Sequence, residues 1–141
     1  MKHFRTYISI FIILIFCGKI FAQQSKIDEA RVNFIGQKLQ LSPAENKNFW
    51  SVYNEFTDKM KSIRKERKKM MLSYNYSNNP AEAEAFVNKS IQLENLENQI
   101  RTEYYNKFKQ IIGVVKTAHL IRAEEEFRTE LIKILKTEKP D

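Results

Sequence analysis

The chain has 141 residues, which is enough for one domain but short for two. Its 24 Lys and Arg against 17 Asp and Glu give a formal net charge of +7, and its 43% apolar content argues against a disordered chain. The 3 Gly and 3 Pro allow too few turns for an all-β sandwich or barrel, while 1 Cys and 2 His exclude disulfide frameworks and Cys-based zinc sites.

The N-terminal segment has the pattern of a secretory signal peptide. A basic start precedes the apolar run at residues 8–16, and Ala22 places a small residue before the expected cleavage point. The run is shorter than the roughly 20 apolar residues of a transmembrane helix. Cleavage would leave residues 23–141 as a single secreted domain without cysteine, held together by packing alone. An uncleaved membrane anchor and lipidation at Cys17 are the alternatives.

Cap residues divide the remaining chain into expected helices. Ser25 can accept hydrogen bonds from the first amides of a short helix that extends to about Gln40. The apolar stripe of this helix would consist of Ile27, Ala30 and Phe34, with Lys38 as an optional further member. A stronger start signal follows, with Ser42 as N-cap, Pro43 in the first helical position and Glu45 closing a capping box.

The second helix carries a heptad pattern. Its seam residues recur at alternating steps of 4 and 3, the spacing of a helix that packs along another helix. The seam consists of Phe49, Tyr53, Phe56, Met60, Ile63, Arg67, Met70 and Tyr74, with Trp50 beside it. We expect the aromatic residues to be core, and a client-binding patch is the alternative. A helix of roughly 30 residues would be about 45 Å long, so it must pack along a second long helix.

Arg67 is the single polar member of this seam. It can form a buried ion pair with an acid on the next helix, such as Glu94 or Glu97. Alternatively, the seam opens at Arg67 onto a concave face. The sequence leaves both alternatives open.

A polar segment, residues 74–79, separates the two long helices. Asn79 can cap the third helix, with Glu82 reaching back to complete the cap. The apolar stripe of that helix would consist of Phe86, Leu93, Leu96 or Glu97, Ile100, Tyr104, Phe108 and Ile111. Gly113 and the β-branched residues that follow it lower helix propensity, so we expect a break there.

Thr117 can then cap a fourth, short helix. Its apolar side would consist of Leu120, Ala123, Phe127, Leu131 and Ile134. The prediction is therefore an all-α fold of four helices, in the order short, long, long, short, built on a long helical hairpin. Elongated helices would leave much apolar surface uncovered in a monomer, which favours a dimer.

The cap sequence Leu41-Ser42-Pro43-Ala44-Glu45 resembles the L-T-x-x-Q motif of the Spy/CpxP family of periplasmic proteins, with Ser for Thr and Glu for Gln. Both replacements keep the cap chemistry. Residues 115–119 lie where the second copy of the motif would be and match it only in shape. The run Phe49-Trp50-x-x-Tyr53 and residues 126–128 are similar to a divergent branch described as sensors of extracytoplasmic-function (ECF) sigma factors.

This resemblance implies a cradle-shaped antiparallel homodimer with a concave face and a non-enzymatic role in the envelope stress response. Some family members are ATP-independent chaperones, others restrain a membrane-bound stress sensor, and others report metal ions. The implied partners are unfolded or partly folded proteins, or a membrane-bound sensor kinase or anti-sigma factor. The fold does not choose among these roles.

Residues 59–69 hold seven Lys and Arg against one acid, Glu66. This segment predicts a basic and apolar surface that attracts acidic, unfolded chains. The candidate partner-binding residues are Met60, Lys61, Arg64, Lys65, Arg67, Lys68, Met70 and Met71. A solvated face that only maintains solubility and an anionic membrane surface are the alternatives. Nucleic acid is not expected as a partner, because no aromatic residues for base stacking are interleaved on that face.

Metal binding and catalysis find little support in the sequence. His119 is the single histidine after residue 22, and one imidazole does not make a strong nickel, cobalt or zinc site. A loose site with residues 124–126 is the alternative. No catalytic triad, Gly-rich loop or paired-carboxylate cleft stands out, so we expect no enzyme activity, no cofactor and no metal. A secreted helical dimer without any client is the remaining hypothesis.

Overall fold

The computed structural model describes residues 26–137, which form three α-helices without a β-strand. Helix α1 covers residues 26–39, α2 covers Pro43–Ser73, and α3 covers Pro80–Thr137. The predicted all-α class is confirmed for this part of the chain, whereas the predicted number of four helices is wrong. The signal peptide predicted for residues 1–22 and the cap predicted at Ser25 lie outside the described residues.

The start of α2 is the predicted capping box. The backbone N–H of Ser42 donates to Glu45 Oε2 at 2.7 Å, and the N–H of Glu45 donates to Ser42 Oγ at 3.3 Å. Pro43 occupies the first turn, where its missing N–H removes no helical hydrogen bond. These interactions join residues three positions apart, which is why the sequence alone predicts them.

The N-terminal cap of α3 differs from the prediction in one hydrogen-bond partner. The N–H of Ala81 donates to Asn79 Oδ1 at 3.0 Å, so Asn79 caps the helix as predicted. The N–H of Asn79 itself donates to Ser77 Oγ at 3.1 Å. Ser77 therefore takes the place predicted for Glu82, because its hydroxyl lies only two residues away and closes a tighter turn.

Helix α3 spans the predicted third and fourth helices, and the break predicted at Gly113 is present as a kink at that residue. Gly113 has φ 76° and ψ 167°, and the helix resumes at the next residue. Thr117 does not cap a new helix, since its Oγ1 donates to the carbonyl oxygen of Gly113 at 2.8 Å from within α3. Glycine adopts this positive φ without a steric penalty, and the Thr117 hydrogen bond satisfies a carbonyl at the kink. The chain therefore deviates for one residue without ending the helix.

Leu41–Ala118 form one compact unit, an antiparallel hairpin of α2 and the first part of α3. The ring contacts show the antiparallel arrangement, because a later residue of α2 contacts an earlier residue of α3. The ring centroids of Phe49 and Phe108 lie 5.5 Å apart, and those of Phe56 and Tyr104 lie 5.6 Å apart. The buried apolar residues of this unit are Phe49, Tyr53, Phe56, Met60, Ile63, Leu93, Tyr104, Phe108 and Ile112. Phe49, Tyr53 and Phe56 are thus core, as expected.

The α3 stripe was predicted with one open choice and one error. Of the two candidates for one position, Glu97 faces α2 and Leu96 is exposed. Ile112 is buried whereas the predicted Ile111 is only half-buried. In both cases two adjacent residues compete for one position on the stripe, and the packing against α2 decides between them.

The described residues 26–40 and 119–137 form a second compact unit. Its buried apolar residues are Ile35, Leu39, Leu120, Ala123 and Phe127. The predicted α1 stripe is wrong, because Ala30 and Lys38 are exposed and Phe34 is half-buried. Ile35 and Leu39 lie on the neighbouring stripe and bury two branched aliphatic side chains, whereas the predicted stripe, if extended to Lys38, would have buried a lysine. The predicted Ile134 is also exposed.

Candidate functional site

The candidate surface lies on α2. We call Lys61, Arg64, Lys65 and Lys68 the basic face, because steps of three and four residues place them on one side of the helix. Lys61 is half-buried and lies 4.0 Å from Asp58 Oδ1, while the other three are exposed. Lys65 and Lys68 form no ion pair with any other residue between 26 and 137. The basic face therefore presents positive charge to solvent.

The apolar part of this surface differs from the prediction. Met60 is 1% exposed and packs in the hairpin core, so it does not belong to the candidate surface. Met70 is half-buried, and Met71 is 51% exposed. Leu72, which the sequence reasoning missed, is 74% exposed and lies four residues after Lys68 on the basic face. The spacing of four residues between Lys68 and Leu72 is the feature of the sequence that places Leu72 on this surface.

Arg67 belongs to a polar network between the helices. Its guanidinium lies 2.9 Å from Glu97 Oε2, so an ion pair with Glu97 is confirmed, but the pair is half-buried and not buried as predicted. Arg101 donates to the other oxygen of Glu97 at 2.7 Å and to the hydroxyl of Tyr105 at 3.2 Å. Burial alone would raise the pKa of Glu97, but the hydrogen bonds and charges of Arg101 and Arg67 outweigh it and lower that pKa.

A cavity of about 320 Å³ adjoins this network. It is lined by Arg67, Ser90, Glu94, Glu97 and Asn98. Every lining residue is polar, and Glu97 is shared between Arg67 and Arg101. The Arg67–Glu97 pair joins α2 to α3.

The predicted cap motif has a distant partner on α3. Lys116 Nζ donates to Glu45 Oε2 at 2.7 Å, so the carboxylate that closes the capping box also anchors α3. Hydrogen bonds from Lys116 and then from Ser42 lower the pKa of Glu45 to about 2. Leu41 beside them is half-buried and Ser42 and Pro43 are exposed. The two motif-like segments of the sequence thus meet through one ion pair.

His119 is exposed and lines a cavity of about 340 Å³ together with Lys38, Arg122, Ala123 and Glu126. Glu126 pairs with Lys38 at 2.9 Å and with Arg122 at 2.7 Å. The hydrogen bond from Arg122, followed by that from Lys38, lowers the pKa of Glu126. Within residues 26–137, no three His, Cys, Asp or Glu side chains cluster in a way that could hold a metal ion.

None of the helices in the described part of the chain combines the length and the apolar character needed to cross a membrane. Comparison of the chain with family models, with curated proteins and with solved structures found no match. The resemblance to the Spy/CpxP family stays a prediction.

Proposed function

We propose that this chain is a non-enzymatic, periplasmic envelope-stress protein that binds unfolded or partly folded proteins without nucleotide, as Spy/CpxP-type chaperones do. The observation that carries this proposal is the surface of α2. There the exposed charges of Arg64, Lys65 and Lys68 lie next to the exposed side chains of Met71 and Leu72.

Such a surface suits an unfolded chain for two reasons. Positive charge attracts acidic segments over about a Debye length and aligns them along the helix. Methionine and leucine then offer apolar contacts, and the flexible thioether of Met71 adapts to different side chains. Each contact is weak, so a bound client can leave and refold.

The scaffold behind this surface supports the same proposal. The α2 rings that contact α3 are those of the hairpin core, such as Phe49 and Phe56, whereas Lys65 and Lys68 of the basic face are exposed. The basic face is therefore held in place while it stays accessible. A homodimer with two such faces is part of the proposal.

Aggregation of an unrelated, reduced client protein tests this proposal. Light scattering by the aggregating client would be measured with and without the chain from residue 23 onward, at low and at high salt. We expect equimolar chain to suppress aggregation and salt to weaken the suppression, because it screens the basic face.

The matched variants are a triple charge reversal, Lys61→Glu with Lys65→Glu and Lys68→Glu, and a control reversal of the exposed Lys47 and Lys109. We expect several-fold weaker suppression from the first and wild-type suppression from the second. No suppression at several-fold excess, at either salt, would contradict the proposal. It would favour a regulator that docks on one anti-sigma factor or sensor kinase.

A further inference from the structure

The closed end of the hairpin exposes large apolar and aromatic side chains. We call residues 68–76 the hairpin tip. Within it Leu72 is 74% exposed and Tyr76 is 90% exposed. Removing either side chain from water would lower the free energy, yet both are exposed to solvent in this fold.

The outward position of Tyr76 is built into the backbone. Its φ is 50°, a left-handed conformation that a tyrosine rarely adopts. Its ring makes an edge contact with Tyr74 at 5.9 Å, and Tyr74 in turn stacks on Phe86 at 4.2 Å. The stacked pair of Tyr74 and Phe86 therefore supports the exposed ring of Tyr76 from one side.

Positive charge surrounds these protruding groups. Lys68 and Lys69 are exposed, and Lys68 lies one helical turn before Leu72 on the same face. Apart from Arg67, which pairs with Glu97, residues 65–92 hold four Lys against three Glu. The exposed Glu82 and Glu84 at the start of α3 are therefore outnumbered.

We propose that the hairpin tip binds the surface of a lipid bilayer rich in anionic phospholipid. Leu72 and Tyr76 enter the headgroup region, and Lys65, Lys68 and Lys69 contact the phosphate groups. Tyrosine suits this position because its ring is apolar and its hydroxyl reaches water. Clustered lysines next to apolar side chains are the chemistry that anionic membrane surfaces attract.

The shape of the tip favours a bilayer over a folded protein partner. Recognition of a peptide or a globular partner uses a groove or a complementary surface. Leu72 and Tyr76 instead protrude, and a fluid headgroup layer accepts a protruding group without a matching cavity. This inference goes beyond the proposed function and does not depend on client binding, since it requires no unfolded protein.

Vesicle flotation tests the inference with the chain from residue 23 onward. This form keeps every described residue and lacks the apolar run at residues 8–16, which would bind lipid by itself. The probes are vesicles of phosphatidylcholine alone and of phosphatidylcholine with about one third phosphatidylglycerol. We expect binding to the anionic vesicles that weakens with salt, and little binding to the neutral ones.

Paired variants identify the residues responsible. Lys68→Gln with Lys69→Gln should lower the partition coefficient about fivefold per lysine, and the control pair Lys47→Gln with Lys109→Gln should lower it much less.

Leu72→Ser with Tyr76→Ser should lower binding several-fold, whereas Val114→Ser with Val115→Ser, an exposed pair elsewhere on the hairpin, should not. Circular dichroism would verify that each variant stays folded.

Equal binding to neutral and anionic vesicles, no binding to anionic vesicles at low salt, or equal losses in tip and control variants would overturn the inference. Tip variants that lose aggregation suppression but keep full vesicle binding would also overturn it and assign the tip to proteins. A wild-type chain that binds vesicles without suppressing aggregation would leave the inference standing while contradicting the proposed function.

Discussion

Truncation of one core ring, Phe108→Ala, tests the packing that holds the basic face in place. Phe108 is 0% exposed and lies at the centre of the hairpin's aromatic cluster. Its ring centroid lies within 6.4 Å of four others, those of Phe49, Phe56, Tyr53 and Tyr104. The substitution removes all four ring contacts and leaves a cavity between α2 and α3.

The expected loss is about 4 kcal/mol of unfolding free energy. Truncation of a buried phenylalanine costs about 3–5 kcal/mol, because transfer energy is lost and the cavity collapses only in part. At about 4 °C per kcal/mol for a chain of this size, the melting temperature should fall by about 15 °C. This is a large share of the 5–15 kcal/mol that stabilises a typical domain.

Urea titration followed by far-UV circular dichroism measures the loss. The control is Ile91→Ala on the same helix, where the side chain is 52% exposed and the expected change is about 0.5 kcal/mol or less. If Phe108→Ala does not fold, Phe108→Leu keeps most of the volume and should cost about 1 kcal/mol. A Phe108→Ala loss no larger than that of Ile91→Ala would refute the packing described for the hairpin.

Three further predictions concern the polar contacts. Ser42→Ala should lower the unfolding free energy by about 1 kcal/mol in urea titration, because it removes the N-cap acceptor; an unchanged midpoint would contradict the capping role. The Glu45 carboxylate has a folded-state pKa of about 2 against an ordinary 4.5, so it stabilises the fold above its ordinary pKa and this contribution is lost as pH falls from 4.5 towards 2. The melting temperatures of wild type and Glu45→Gln should therefore differ near neutral pH and converge in that window, and a constant difference would contradict the ion pair with Lys116. A double-mutant cycle of Arg67→Met and Glu97→Gln should give a coupling energy of about 0.5–1 kcal/mol at low salt, and a coupling near zero would show that the contact adds nothing.

The parts of the fold that the sequence predicts are those fixed by near neighbours. Ser42 and Glu45 lie three residues apart, and a helix that starts at Pro43 brings the side chain of each to the backbone N–H of the other. The heptad steps from Phe49 onward likewise specify which side of α2 packs. The expectation that α2 needs a second long helix follows from its length, and the hairpin satisfies it.

The errors arise where tertiary packing outweighs local preference. The backbone does leave the helical conformation at Gly113, as its low helix propensity predicts, but Thr117 does not start a new helix, because its hydroxyl donates to the Gly113 carbonyl from within α3. In α1 apolar residues occupy two adjacent stripes, and the choice of Ile35 and Leu39 over Phe34 depends on what packs against them.

The candidate site was predicted less completely than the fold. The basic face was identified because its charges form a dense run in the sequence. Lys116 was not assigned to Glu45, since 71 residues separate them and spacing carries no information over that distance. Leu72 was missed because a single exposed leucine is ordinary on protein surfaces, and only its position beside Lys68 gives it significance.

Site-directed photocrosslinking to an unfolded client tests the central claim most directly. The single cysteine of the chain is Cys17, so the form from residue 23 onward accepts one label at an introduced cysteine. A photoreactive group would be attached at Lys65→Cys on the basic face and, as control, at the exposed Lys109→Cys on α3. We expect crosslinks to a reduced, unfolded client from position 65 that are several-fold stronger than those from position 109 and that weaken at high salt. Equal crosslinking from both positions, or none from position 65, would contradict that claim.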